Sequence, residues 1–207
     1  MHIIQITSDK NESLKSWRKL QRSRKERSRM GQLLIEGEHL LMEARAHQCS
    51  FHAVLLDEGQ ARHVPTWLNW IEEQNIPVYS LRSTLYRDLM DTETPQGVAA
   101  VIDLPRSRPF HIDNAHSLVL LLDQIQDPGN LGTILRTAAA GGVSFIGLGK
   151  GTVDPFNPKV VRSASGALFH VPFATIDLAD WILRYQAVGG SVFGTAAGAD
   201  EDHYDVA

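Results

Sequence analysis

The sequence predicts an α/β protein: a small α/β unit over residues 1–103, a linker over 104–116, and a parallel-sheet α/β unit over 117–207. Three observations carry this reading. Short apolar runs alternate with longer segments of helical spacing along the whole chain. Residues 117–148 read as strand, loop, ten-residue helix and strand, a βαβ unit whose two strands run parallel. Between the two parts lies Leu104-Pro105-Arg106-Ser107-Arg108-Pro109, prolines and polar filler that neither a helix nor a central strand accommodates.

Taken in order, Thr7, Ser8 and Asp9 offer helix-capping side chains. Asn11 to Arg29 then reads as one helix, free of Gly and Pro until Gly31, with Leu14, Trp17 and Leu20 on its inner face and basic residues around the outer one. Gln32 to Ile35 is a short strand and Glu38 to His47 a helix. Ala53 to Leu56 is a buried strand ending at Asp57-Glu58-Gly59, Pro65 to Gln74 a helix, and Pro77 to Tyr79 and Gly97 to Ile102 two further strands. In the second part, Ser117 to Leu122 is a continuous apolar strand of the kind buried on both faces. After the loop Gln126 to Asn130, Leu131 to Ala140 is a helix stopped by Gly141-Gly142. Val143 to Leu148 is the next strand, Val160 to Leu168 a helix, Ala179 to Ala187 an amphipathic helix, and Ser191 to Thr195 a third strand.

At 207 residues, with 43% hydrophobic and 21% charged residues, the chain can bury a core without disulfide or metal staples. The longest apolar run, Leu118 to Leu122, is far below the roughly 18 residues of a membrane span. The first seven residues lack the basic-then-apolar pattern of a secretory signal, and the single Cys49 excludes an internal disulfide and suits a reducing cytoplasm. The net charge of −4 hides an asymmetry: residues 1–109 balance at +1 and residues 110–207 at −5. Eight basic residues fall between Lys15 and Arg29 against the single acid Glu26. Such a segment is either a solvated helix face or a footprint for a polyanion.

Candidate chemistry lies where open parallel sheets bind ligands, in the loops at the carboxyl ends of the strands. The loop after the first strand of the second unit carries Asp127, Asn130 and then Arg136, with Gly129 and Gly132 permitting close backbone approach. By position Asn130 serves equally as the helix N-cap, and Arg136 as a surface residue. Asn157-Pro158-Lys159 and Arg162 to Gly166 form a polar cluster at a helix start, where Lys159 and Arg162 suit phosphate binding as well as plain capping. Gly147 to Gly151 does not complete a dinucleotide fingerprint and reads as a glycine-rich turn. The nine histidines show neither metal-ligand spacing nor a hydrolase arrangement, so no metal site is expected.

On these residues the chain resembles a known family. Asp123-Gln-Ile-Gln-Asp127-Pro-Gly-Asn130-Leu-Gly132-Thr-Ile-Leu-Arg136-Thr-Ala138 looks like the first signature of the SpoU, or TrmH, RNA ribose methyltransferases of the SPOUT superfamily. Asp154-Pro-Phe-Asn157-Pro-Lys159-Val-Val-Arg162-Ser-Ala-Ser165-Gly166-Ala167 is similar to the stretch that follows. Ile6-Thr-Ser8-Asp-Lys-Asn11 with Lys15, then Ile35-Glu36-Gly37, then Thr94-Pro95-Gln96-Gly97, resemble the substrate-binding domain that precedes the catalytic domain in many members. The resemblance implies a knotted α/β fold that binds S-adenosylmethionine, methylates an RNA ribose 2′-hydroxyl and works as a homodimer in the cytoplasm, away from membranes. It places Asn130 and Arg136 in the catalytic centre and Thr195, Ala196 and Ala197 along the cofactor. An RNA substrate accords with the basic segment and the helix-start cluster, whose Lys15, Arg18, Arg22, Arg24, Lys25, Arg27, Lys159 and Arg162 are the expected RNA-binding residues. A guanidinium is a poor proton acceptor, so Arg136 is expected to orient the hydroxyl or an adjacent phosphate.

In the family a Gly-containing cofactor loop and a late Ser/Asn-containing segment follow, and the sequence ends at Ala207 short of both. The expectation is therefore a methyltransferase unit lacking its C-terminal knot segment. Ribosomal RNA is the expected substrate, because of the substrate-binding unit; the alternatives are transfer RNA, or RNA binding without catalysis.

Overall fold

A computed structural model describes residues 2–60, 68–105, 110 and 117–195. In the first part lie β1 (Ile3–Ile6), α1 (Glu12–Arg22), α2 (Arg24–Met30), β2 (Gln32–Glu36), α3 (Glu38–Ala46), β3 (Phe51–Asp57), α4 (Leu68–Glu73), β4 (Val78–Leu81), α5 (Ser83–Met90) and β5 (Val98–Asp103). In the second lie β6 (Val119–Leu122), α6 (Pro128–Ala140), β7 (Phe145–Leu148), α7 (Pro158–Ala164), α8 (Ala167–His170), β8 (Phe173–Thr175) and α9 (Leu178–Ala187). The strands form two sheets: a mixed one in the order β1-β4-β3-β5-β2, and one in the order β6-β7-β8 whose strands all run parallel. The mixed α/β class and the parallel second sheet match expectation. Of the expected linker, Leu104 donates from its amide to Gly31 O (2.7 Å) and Phe110 stacks on Phe145 at 4.8 Å. Residues 106–109 and 111–116 lie outside the described residues.

Five expectations need correction. The single helix over Asn11 to Arg29 is two helices broken at Ser23, which ends α1 in extended conformation and caps α2 by accepting from Glu26 N (3.3 Å). A Ser followed three residues later by Glu is a start signal, and it overrides the helical propensity on either side. The cap of α1 is Asn11, whose Oδ1 accepts from Leu14 N (3.2 Å), and not the Thr7–Asp9 run. The helix over Val160 to Leu168 is split into α7 and α8 by Ser165 (φ 46°) and Gly166 (φ 90°), two successive left-handed residues. Ser191 to Thr195 joins no ladder among the described residues; β8, unmarked by any long apolar run, is the third strand. Strand formation is decided by the available neighbour more than by local preference, and Gly190 and Gly194 give this segment little of the latter. Finally, β6 is an edge strand with only Leu122 buried, and Leu118 just before it is 59% exposed. β1 and α5 were not expected; both are short, four and eight residues long.

Two apolar layers hold the first sheet. Leu14, Trp17 and Leu20, the expected inner face of α1, pack with Ile6, Leu34, Leu55, Tyr86 and Val101 on one side. On the other side Ile35, Leu41, Ala44 and Val54 continue without a break into Leu135, Val161, Ala164 and Phe169 of the second unit. Burial of each such leucine or valine is worth about 1.5–3 kcal/mol. The two units therefore share a core, and this shared core sets the position of the loops described next.

Candidate active site and nucleic-acid interface

The carboxyl ends of β6 and β7 open into two loops that are tied together. Gly149 N and Thr152 Oγ1 donate to Leu122 O (2.8 and 3.3 Å), and Val153 N donates to Ile125 O (2.8 Å). At the start of α6, Asp127 takes the capping role, its Oδ1 accepting from Asn130 N (2.8 Å), with Pro128 in the first turn. The Asn130 carboxamide is thereby left outside the cap. It is exposed, as is Arg136, and neither side chain has a hydrogen-bond partner among the described residues. The two lie about 9 Å apart along the helix axis and about 120° apart around it, and the Arg136 side chain leans toward the N-terminal end of α6 over Gly132 and Thr133.

Gly132, read from sequence as room for a ligand, serves packing. A Cβ there would overlap the Ser163 side chain and lie 2.9 Å from Ala164 N, so α6 and α7 touch backbone to backbone. Ser163 Oγ completes the junction by donating to Lys159 O (2.9 Å) and reaching Pro128 O (3.3 Å). Asn157 caps α7 through Lys159 N (2.9 Å), leaving the side chains of Lys159 and Arg162 exposed one turn apart.

Arg162 also marks the seam with the first unit. Glu36, at the end of β2, is buried and accepts from Gln96 N (2.9 Å), which unites two of the motifs separated in sequence. Burial raises its carboxyl above the ordinary range, opposed by the Gln96 amide and the Arg162 charge. The Tyr86 and Thr92 hydroxyls face it and also favour its charged form.

The basic segment divides. Arg22, Arg24 and Lys25 are exposed, as is Lys15, which pairs with Glu12 (2.7 Å). Arg18 is held between Asp9 (2.5 Å) and Asp88 (2.7 Å). Arg27, expected to meet RNA, is 4% exposed and turned inward. Its guanidinium donates to Leu20 O (2.7 Å) and Gln21 O (3.2 Å), carbonyls left open at the end of α1, and to Asp154 Oδ2 (2.6 Å) in the β7–α7 loop. Seven residues beyond the buried Leu20, Arg27 falls by helical spacing on the inner side of the segment and not among the outer charges. Sequence reasoning missed Asp154 as its partner, since nothing local signals a pairing across 127 residues. Thr195 is exposed, and Ala196 and Ala197 lie outside the described residues.

A parallel sheet with open polar groups at its carboxyl edge is docked to a unit whose exposed face is basic, which joins a ligand-binding edge to a surface for a polyanion. The SpoU rRNA Methylase family matches residues 117–207, and the MRM3-like substrate binding domain matches residues 11–100. The chain is 40% identical over 192 residues to the 23S rRNA (guanosine(2553)-2′-O)-methyltransferase RlmP of Bacillus subtilis, covering 93% of this chain and 73% of that protein. It is 34% identical to rRNA methyltransferase 3, mitochondrial, of Xenopus laevis, over 83% of this chain and 42% of the relative. The AdoMet-bound rRNA methyltransferase of Sinorhizobium meliloti superposes with a TM-score of 0.76 at 26% identity, over 90% of this chain and 69% of that one. The chain belongs to the SpoU family of RNA methyltransferases. No described helix is long and apolar enough to cross a membrane.

Proposed function

We propose that this protein transfers a methyl group from S-adenosylmethionine to a ribose 2′-hydroxyl of ribosomal RNA, with Arg136 and Asn130 at the reaction centre. One observation carries the reading. Asn130 and Arg136, exposed and without hydrogen-bond partners among the described residues, sit on the helix that leaves the first parallel strand, beside a loop that Arg27 and Asp154 dock onto the basic helix α2. RNA bound along Arg22, Arg24 and Lys25 is thereby brought toward the same edge of the molecule, with Lys15, Lys159 and Arg162 as further phosphate contacts, while Arg18 is engaged by Asp9 and Asp88. In this reading residues 1–103 bind the substrate, 104–116 link, and 117–207 carry the chemistry. A homodimer through the second unit and a cytoplasmic location belong to the same proposal. The apolar face of Leu118, Leu120, Ile134 and Val143 beside the open β6 edge supports the first, and the lone Cys49 the second.

Residues 191–195 suit one wall of a site for S-adenosylmethionine. Val192 (37%) and Phe193 (62%) are exposed apolar groups next to Thr195, and the backbone of 191–195 enters no hydrogen bond among the described residues. Such a mixture of apolar surface and open amides is what an adenosine needs. When bound, the cofactor supplies an electrophilic methyl group. The protein's part is to place the hydroxyl in line with it. The Arg136 guanidinium donates to the hydroxyl oxygen or a neighbouring phosphate, while the Asn130 carboxamide can both donate and accept.

The test is transfer of labelled methyl to unmodified ribosomal RNA by the longest reading frame containing these residues. The label is expected in an alkali-stable dinucleotide, the mark of a 2′-O-methyl group. Arg136→Ala should cut transfer by about 100-fold or more, with cofactor affinity and melting temperature unchanged because the side chain is exposed. Label on a base, or near-normal turnover in that variant, overturns the reading.

A further inference from the structure

We propose that Glu43, His47 and His170 form a binding site for a zinc-class divalent cation that clamps helix α3 of the first unit to helix α8 of the second. Each residue offers one ligand atom, and the three atoms all lie within 4.8 Å of one another. Ligands around zinc stand about 2.0–2.1 Å from the metal for nitrogen and oxygen, so small side-chain rotations close the set. Glu43 and His47 stand four residues apart at the end of α3 and share its face. His170 ends α8, 127 residues beyond Glu43 in sequence, and its Nε2 already lies 2.7 Å from Glu43 Oε2.

Two further contacts preorganise the set. The first fixes a tautomer: His47 Nδ1 lies 3.0 Å from Glu43 O, a contact that requires Nδ1 to carry the proton and leaves the Nε2 lone pair free for a metal. Backbone carbonyls fix metal-binding histidines in this way in many proteins. The second fixes the carboxylate stem. A Cβ on Gly166 would lie 2.8 Å from Glu43 Cγ, and only the left-handed glycine (φ 90°) lets the α7–α8 turn close over that side chain. His39 Nε2, 3.2 Å from Ser165 O, ties the same turn to α3.

Two imidazoles and one carboxylate select a borderline cation such as Zn²⁺ over Mg²⁺ or Ca²⁺, which prefer all-oxygen shells. With three protein ligands, a fourth position is open to water. His47 also lines a cavity of about 350 Å³ between the units, with Cys49, Asp103 and Phe169. The site shares no residue with the Asn130–Arg136 face, and its chemistry is that of an interdomain clamp: binding only when α3 and α8 are together, the ion stabilises the docked arrangement.

The experiment is calorimetric titration of chelator-stripped, tag-free protein with Zn²⁺ alone, followed by thermal melting with and without the ion. One Zn²⁺ per chain is expected, with a melting temperature several degrees higher in its presence, and no response to Mg²⁺. His170→Ala, at a half-exposed position, should weaken binding at least tenfold and abolish the thermal shift while leaving the metal-free melting curve nearly in place. Glu43→Gln, which keeps the shape of the side chain, should do the same. No saturable binding, or binding undiminished in both variants, overturns the proposal.

Discussion

Arg27 shows how one side chain can outweigh the run of charges in which it sits. It closes open carbonyls at the end of α1, fixes α2, and docks the β7–α7 loop through Asp154. The pair is nearly dry, with side chains 5% and 12% exposed, so removing one member strands the other away from water. Arg27→Ala is expected to cost about 3 kcal/mol or more, whereas Arg24→Ala, whose guanidinium is mostly exposed and 4.0 Å from Asp154, should cost under about 1 kcal/mol. Urea melts of the two variants decide it; equal stabilities would return Arg27 to the solvated face that the sequence suggested. Asn130 and Arg136 illustrate the opposite case. Their exposure could not be read from the sequence, because Asn130 was as good a cap as Asp127 on residue type alone.

At the level of helices and strands, the junction of α6 with α7 places the proposed catalytic helix. Gly132 is the contact point, and a methyl group there has no room against Ser163 and the Ala164 backbone. Gly132→Ala is expected to destabilise by about 2 kcal/mol, roughly 4–8 °C in Tm for a chain of this size. An unchanged Tm would show that the helices separate without cost. The helices and strands with long periodic patterns were legible: α3, α6, α9, β2, β3, β5 and β7 fall where the spacing of apolar residues puts them. The illegible ones were short, such as β1 and β8, or were broken by capping and left-handed residues, as at Ser23 and Ser165. A ladder partner or a two-residue reversal carries no periodic signal.

For the molecule entire, the balance between the halves matters more than the total of −4. The outward cations of α1 and α2 stand on the unit that balances near neutrality, while the second unit is acidic overall, so RNA is drawn to one face. Reversal of Arg22, Arg24 and Lys25 to glutamate should weaken rRNA binding and reduce the slope of log affinity against log salt by about 2 to 3, near 0.7–0.9 for each phosphate no longer neutralised. Arg27 is omitted from that set because its reversal would test folding instead. A slope unchanged in the triple variant would show the face to be merely solvated.

The α/β class, the parallel second sheet, the inner face of α1 and the motifs that mark the family could all be read before folding, because each is written in local spacing or in residue type at fixed offsets. Three-dimensional packing was needed to establish which charges face outward, what Gly132 makes room for, and which residues meet across the seam between the units. Arg27 with Asp154 and Glu43 with His170 are pairs separated by more than a hundred residues. Such contacts arise when two cores merge and bury the faces that carry them, and no periodicity within either segment announces its partner.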